Sequence, residues 1–246
     1  MDDGRWGWGA LLWLCATLAA GCAAPPPAPP PIPAPQIVRI QYAPGTAPLL
    51  PALSACFGEL PALAPRMEER PPTRLEPSEA DLTLWWGKAP PESGFAYLLG
   101  YDSLRVVVSA QREGGEPTPF EVAAIYRGYA PPENESAPAA ALTAWTYPEG
   151  HPFRQSFEAS LLEGASTSSA ARLAPHSQAM LEGVAGDPQA VGYLPSFWLS
   201  AAVHPLEIAL PPQPVLALSP REPQGAARNL LACWQAKLEG TLAPRP

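Results

Sequence analysis

The chain has 246 residues, a formal net charge of −8, only 15% charged residues and 36 prolines. No basic stripe and no basic–aromatic interleaving occurs, which excludes nucleic acid as an expected partner. The part from Gln36 onward, about 210 residues, suits one large or two small domains.

Trp6 to Gly21 is a hydrophobic run that ends in Ala19-Ala20-Gly21-Cys22. It is shorter than the roughly 20 apolar residues that span a bilayer. Small residues ahead of a cysteine mark the end of an export signal. The segment is similar to bacterial lipoprotein signals, which implies cleavage before Cys22 and lipidation of its thiol. Two or more acyl chains then hold the protein at the extracytoplasmic face of the cell membrane. An uncleaved anchor helix is the alternative. Residues 23–36 carry eight prolines. They predict a stiff polyproline II tether of about 3.1 Å per residue, on the order of 40 Å in all. Removal of Cys15 and lipidation of Cys22 leave an even pair, Cys56 and Cys233, in an oxidising compartment. The pair forms either one disulfide or two separately buried thiols.

The remaining elements follow in chain order. Ile37 to Tyr42 reads as a strand. Leu49, Leu50, Leu53 and Phe57 fall at helical spacing after Gly45-Thr46, with Pro51 distorting the first turn. Ala80 to Trp86 reads as a strand that ends at Gly87, and Leu104 to Val108 as a β-branched strand. Thr118-Pro119-Phe120-Glu121 predicts a helix start with a capping box and proline at its first position. Leu142 to Tyr147 is a predicted strand, His151 to Leu162 and Ser177 to Val184 are helices, and Gln189 to Leu194 and Pro214 to Leu218 are strands. Ser219-Pro220-Arg221-Glu222 repeats the capping-box pattern. The helix it opens carries Ala227, Leu230, Leu231, Trp234 and Leu238 on one face and stops at Gly240. Strands alternating with helices predict α/β layers. The Pro/Gly/Glu-rich stretches 88–94, 111–117 and 129–140 read as surface turns.

Reaction motifs are missing. His151, His176 and His204 are never paired at i, i+4, and no nucleophile elbow, Walker or dinucleotide pattern occurs. The expectation is a non-enzyme without metal or cofactor.

Four segments resemble one family in order. Gly100 to Val108 resembles the crossover strand of type II periplasmic substrate-binding proteins, in the branch of the phosphate ABC transporters. Thr118 to Gly128 resembles the helix written LTxEELxxIFxG. Tyr147-Pro148-Glu149-Gly150-His151-Pro152-Phe153-Arg154 falls where that branch has RxxGSGTR. Asp187 to Leu194 resembles the return strand. The resemblance covers about residues 37–240. It implies an α/β fold of two lobes joined by two crossover hinge strands, with lobe 1 at 37–103 plus 195–246 and lobe 2 at 104–194. It also places Cys56 and Cys233 in one lobe, which favours the disulfide.

The resemblance further implies a ligand held between the lobes. Helix starts favour an anion through their free amides and dipole. This chain keeps Gly150 and Arg154 but sets His151, Pro152 and Phe153 where the family has Ser-Gly-Thr. Hydroxyls are lost there, and Pro152 removes an amide donor. Arg154 is either a fork for an oxyanion or a surface arginine. Thr46, beside Gly45, is either an anion contact or a plain cap. Of Trp85 and Trp86, one indole faces the core and the other is free to stack on a ligand; Trp86 is taken as the cleft residue. Asp102 accepts a proton from the ligand or caps a turn, and Tyr193 and His151 complete the candidate set. The implied function is capture of a small, anionic ligand for delivery to an ABC permease by a monomeric protein. A degenerate domain that acts as a sensor or interaction module is the alternative.

Overall fold

Residues 34–129 and 142–243 are described in a computed structural model of the chain. The signal-like segment, Cys15, Cys22, tether residues 23–33 and most of the 129–140 stretch lie outside them.

The first sheet begins with β1 (Gln36–Tyr42), whose Val38 and Ile40 are buried. A 3-10 turn at Pro44–Leu49 leads into α1 (Leu50–Glu59). Pro44 and Pro51 both tolerate an early helical position because the amides they lack have no intrahelical partner there. β2 (Leu63–Glu69), β3 (Leu82–Trp86) and β4 (Phe95–Asp102) follow. The strand order is β2-β1-β3-β10-β4, where β10 (Gln213–Ser219) arrives from far along the chain. β2 was not legible as a strand, because Pro65 interrupts it. Its place at the sheet edge permits a residue that cannot donate to a ladder on both sides.

After Ser103 the chain enters a second sheet ordered β7-β6-β8-β5-β9. β5 is Leu104–Ser109, β6 Thr143–Thr146, β7 Arg172–Leu173, β8 Ala190–Pro195 and β9 Val203–Pro205. Three helices pack there: α2 (Pro119–Tyr126), α3 (Pro152–Leu161) and α4 (Ser177–Ala185). α2 opens with a complete capping box. The Glu121 amide donates to Thr118 Oγ1, and the Thr118 amide donates to the Glu121 carboxylate. β8 is buried along its whole length. Gly192 permits that: a Cβ on it would lie 2.6 Å from Val184 and 2.7 Å from the Met180 sulfur, so α4 could not seat on the strand.

Two expectations need correction. Lobe 2 does not end at Leu194, because Val107 pairs with Pro205 and keeps the chain in the second sheet through β9. The last helix, α5 (Gly225–Leu238), does not start from Ser219. Ser219 is the final residue of β10, and its hydroxyl donates to backbone carbonyls of Asp81 and Arg221.

α5 buries Leu230, Leu231, Trp234 and Leu238. Cys233 on this helix is joined to Cys56 on α1, with Cα atoms 5.9 Å apart. The cross-link spans 177 residues. Chain entropy alone makes a loop of that length worth about 5 kcal/mol. Thermal unfolding with and without reductant measures it: the melting temperature should fall on reduction, and Cys56→Ser/Cys233→Ser should melt low under both conditions.

Candidate functional site

The 3-10 turn after β1, the end of β3 and the start of α3 meet where the two sheets face each other. Phe153, on the first turn of α3, is buried there. Its ring meets Trp86 edge-on, with centroids 4.7 Å apart and planes at 84°. Gly45 forms the opposite wall. A Cβ at that position would stand 2.8 Å from two atoms of the Phe153 ring, so any larger residue there would push the ring out. What is left open beside the ring is a cavity of about 20 Å³, lined by Gly45, Thr46, Trp86, His151 and Pro152 among others. That is room for about one water. A side chain of the second lobe thus occupies the expected ligand position.

The backbone amides around the ring, and the Thr46 hydroxyl proton, are already paired. The Thr46 amide and hydroxyl both donate to the Ala43 carbonyl, each at 2.9 Å. The Gly45 carbonyl accepts from Trp198 Nε1 at 2.6 Å. The His151 amide donates to Pro148 O, and the Phe153 amide donates to His151 Nδ1. His151 is therefore the N-cap of α3, 5% exposed and stacked on Tyr147 at 4.4 Å. Burial lowers its pKa to about 3, so it is neutral at physiological pH.

Trp86 is the buried member of the Trp85-Trp86 pair, at 4% exposure, so it is not a free stacking surface. Its Nε1 donates to Asp102 Oδ2 at 2.9 Å. Asp102 Oδ1 accepts from the Ser196 amide at 3.1 Å and from the Ser196 hydroxyl. Asp102 is the last residue of β4, so this carboxylate ties the exit from lobe 1 to the segment after β8. Burial raises its pKa, against the lowering effect of the Ser196 and Trp86 hydrogen bonds. Both of its oxygens are engaged inside the protein, so it does not face a ligand.

Three further candidates stand elsewhere. Arg154 turns back along its helix: Nε pairs with Glu158 at 2.8 Å, and Nη1 donates to Tyr147 O. Glu158, at i+4 on the same helix, holds it there and also accepts the Thr167 amide. Tyr193 is fully buried in lobe 2, stacked on Phe157 at 4.0 Å, with its hydroxyl paired to Thr146. Gly150 is an exposed turn residue at φ +79°, facing Thr73. The seam therefore gathers Gly45, Thr46, Trp86 and His151, with Asp102 behind Trp86. Phe153, Ser196 and Trp198 were not singled out from the sequence. Phe153 had a signal, since a phenyl ring stands where the resembling family has threonine.

Among the described residues, three wider hollows are open grooves away from the seam. One on lobe 1, about 410 Å³, is lined by Arg39, Gln41, Arg66, Glu68, Arg70 and Glu79. Arg70 there is already held by Glu68 and Glu79. Among the described residues no group of three or more His, Cys, Asp or Glu is placed to hold a metal, and no helix is long and apolar enough to cross a membrane.

No family model matches the chain, and no curated protein matches its sequence. Solved structures do. A putative phosphate ABC transporter substrate-binding protein with bound phosphate from Clostridium perfringens aligns over 80% of this chain and 92% of its own, at TM-score 0.66 and 12% identity. An ABC-type phosphate transport receptor from Vibrio cholerae aligns over 86% of this chain and 100% of its own, at TM-score 0.60 and 16% identity. The effector domain of the transcriptional regulator AmpR of Pseudomonas aeruginosa aligns over 84% of this chain and 99% of its own, at TM-score 0.56 and 16% identity. The chain has the type II periplasmic-binding-protein fold. At these identities the likeness is one of fold.

Two measurements test the site. Gly45→Ala should lower stability by about 1–3 kcal/mol through overpacking against the ring, read as a shifted urea midpoint. His151 is kept neutral when folded but binds a proton when unfolded below about pH 6.5. Its contribution is thus full above pH 6.5 and lost as pH falls toward 3. His151→Asn, which keeps an acceptor at the cap, should remove that part of the acid loss in the difference between the two stability–pH curves.

Proposed function

We propose that this chain is an extracytoplasmic, lipid-anchored solute-binding protein. It takes a small ligand between its lobes in place of the Phe153 ring and presents it to an ABC permease as a monomer. Its work is binding, not catalysis. The observation that carries this reading is the nature of the filling: one side chain of lobe 2, Phe153, is seated against Gly45 and Trp86 of lobe 1. When the lobes part, the ring leaves with lobe 2 and the socket opens. A ligand that touches both lobes only when they are shut then favours closure.

The likeness to phosphate-transport receptors supports solute capture as the use of this seam. The run ending in Ala19-Ala20-Gly21-Cys22, followed by the proline-rich tether, supports a lipid anchor. The seam favours an organic ligand over bare phosphate. No lysine or arginine lines the cavity, and the nearby amides of Thr46, His151 and Phe153 already have acceptors. An anion desolvated there would lack its counter-charge.

A second reading is a binding-protein fold used as a sensor or surface interaction module without transport. The cavity of about 20 Å³ favours it, because the seam is already full.

Thermal shift separates the two. The purified domain should gain stability with at least one class in a panel of amino acids, carboxylates, small aromatics and oxyanions, and none with phosphate or sulfate. A flat response across the panel favours the second reading. For the anchor, Cys22→Ser should abolish metabolic labelling with palmitate and release the protein from the membrane fraction.

A further inference from the structure

We infer that the seam's ligand is a small, uncharged aromatic molecule, and that Phe153 is its built-in competitor. The inference rests on the reading of the seam as a ligand site.

The shape of the socket supplies the first reason. It holds a six-membered ring now, and its walls are matched to one. Trp86 meets the ring at 4.7 Å from lobe 1, while His151 at 4.8 Å and Tyr147 at 5.4 Å flank it from lobe 2, the lobe that carries Phe153. Aromatic pairs at these separations in tilted and edge-on arrangements are favourable beyond simple burial. The remaining wall is the bare Cα of Gly45, whose missing side chain sets the depth of the hole. A tetrahedral oxyanion would meet three ring systems and a glycine, none of which carries positive charge.

The charge inventory supplies the second. Arg154, the nearest cation in sequence, is engaged with Glu158 and Tyr147 O. His151 accepts the Phe153 amide on Nδ1, so its single ring proton is on Nε2. A carboxylate or phosphate here would be desolvated without a partner, whereas a neutral ring would not.

The third reason is the small polar complement. Thr46 and His151 both line the residual cavity. Thr46 Oγ1 uses its proton on Ala43 O and keeps lone pairs to accept. His151 Nε2–H has no acceptor among the hydrogen bonds of the described residues. One acceptor and one donor beside a ring-shaped hole suit a ring that carries a single hydroxyl or N–H, as in phenol or indole.

Because Phe153 competes for its own socket, a ligand binds the wild type more weakly by the fraction of time the socket is empty. Phe153→Ala should therefore bind phenol or indole roughly 10-fold or more tighter than wild type by calorimetry. Small-angle scattering should show the variant more expanded than wild type and returned to the wild-type radius by indole. Benzoate, which carries a charged carboxylate where phenol has a hydroxyl, should bind more weakly than phenol, and inorganic phosphate should not bind. Phe157→Ala, which empties a ring from the lobe 2 core instead, controls for generic cavity binding and should show no change of radius with indole. If Phe153→Ala does not fold, Phe153→Leu carries the same comparison. Tighter binding of benzoate or phosphate than of phenol would overturn the aromatic assignment while leaving the seam as a ligand site. Binding no better than in Phe157→Ala, with no recovery of the radius, would remove the ligand site and the inference together.

Discussion

The structure depends on one interlock: the ring of Phe153 seated between the Gly45 backbone and the ring of Trp86. It brings a helix start from one lobe against a turn from the other. Around it stand the bonds that fix the relative position of the sheets. Trp86 reaches Asp102, Asp102 reaches Ser196, and Trp198 reaches Gly45. Phe153 contributes by burial, and the others by orienting the segments that carry it. A lone buried carboxylate is costly unless it is well hydrogen-bonded. Asp102 meets that condition with donors from both sides of the crossover.

Much of the architecture was legible in the chain. Strands rich in β-branched and aliphatic residues, such as Leu104–Ser109 and Gln213–Ser219, stood out by their own composition. The start of α2 was legible to the residue, because Thr118 and Glu121 satisfy each other locally and need no tertiary help. What escaped was decided by distant partners. β2 contains Pro65 and is a strand because β1 lies alongside it. β7 and β9, two and three residues long, exist only through their neighbours. Ser219-Pro220-Arg221-Glu222 looked like a helix start, but pairing of Ser219 with β4 and Asp81 outweighed it.

The site was half legible for a related reason. Gly45, Thr46, Trp86 and His151 were placed near one another by the family resemblance, not by any spacing of their own. Their direction was not. Arg154 is drawn away from the seam by Glu158, one turn later, and by Tyr147 O, and Tyr193 is held in the core by Phe157, Tyr126, Tyr147 and Thr146. The exchange of a hydroxyl for a phenyl ring at position 153 was visible. Its consequence, a seam that fills itself, needs the facing glycine, which stands more than a hundred residues away.

The bond between Cys56 and Cys233 bears on how the polypeptide tolerates damage. Lobe 1 is assembled from the two ends of the folded part, with all of lobe 2 inserted between them. The bridge turns that split lobe into a covalent ring closed through α1 and α5. A protease that nicks any loop between those helices yields two fragments that still travel as one molecule. The inserted half can be cut without casting the other adrift.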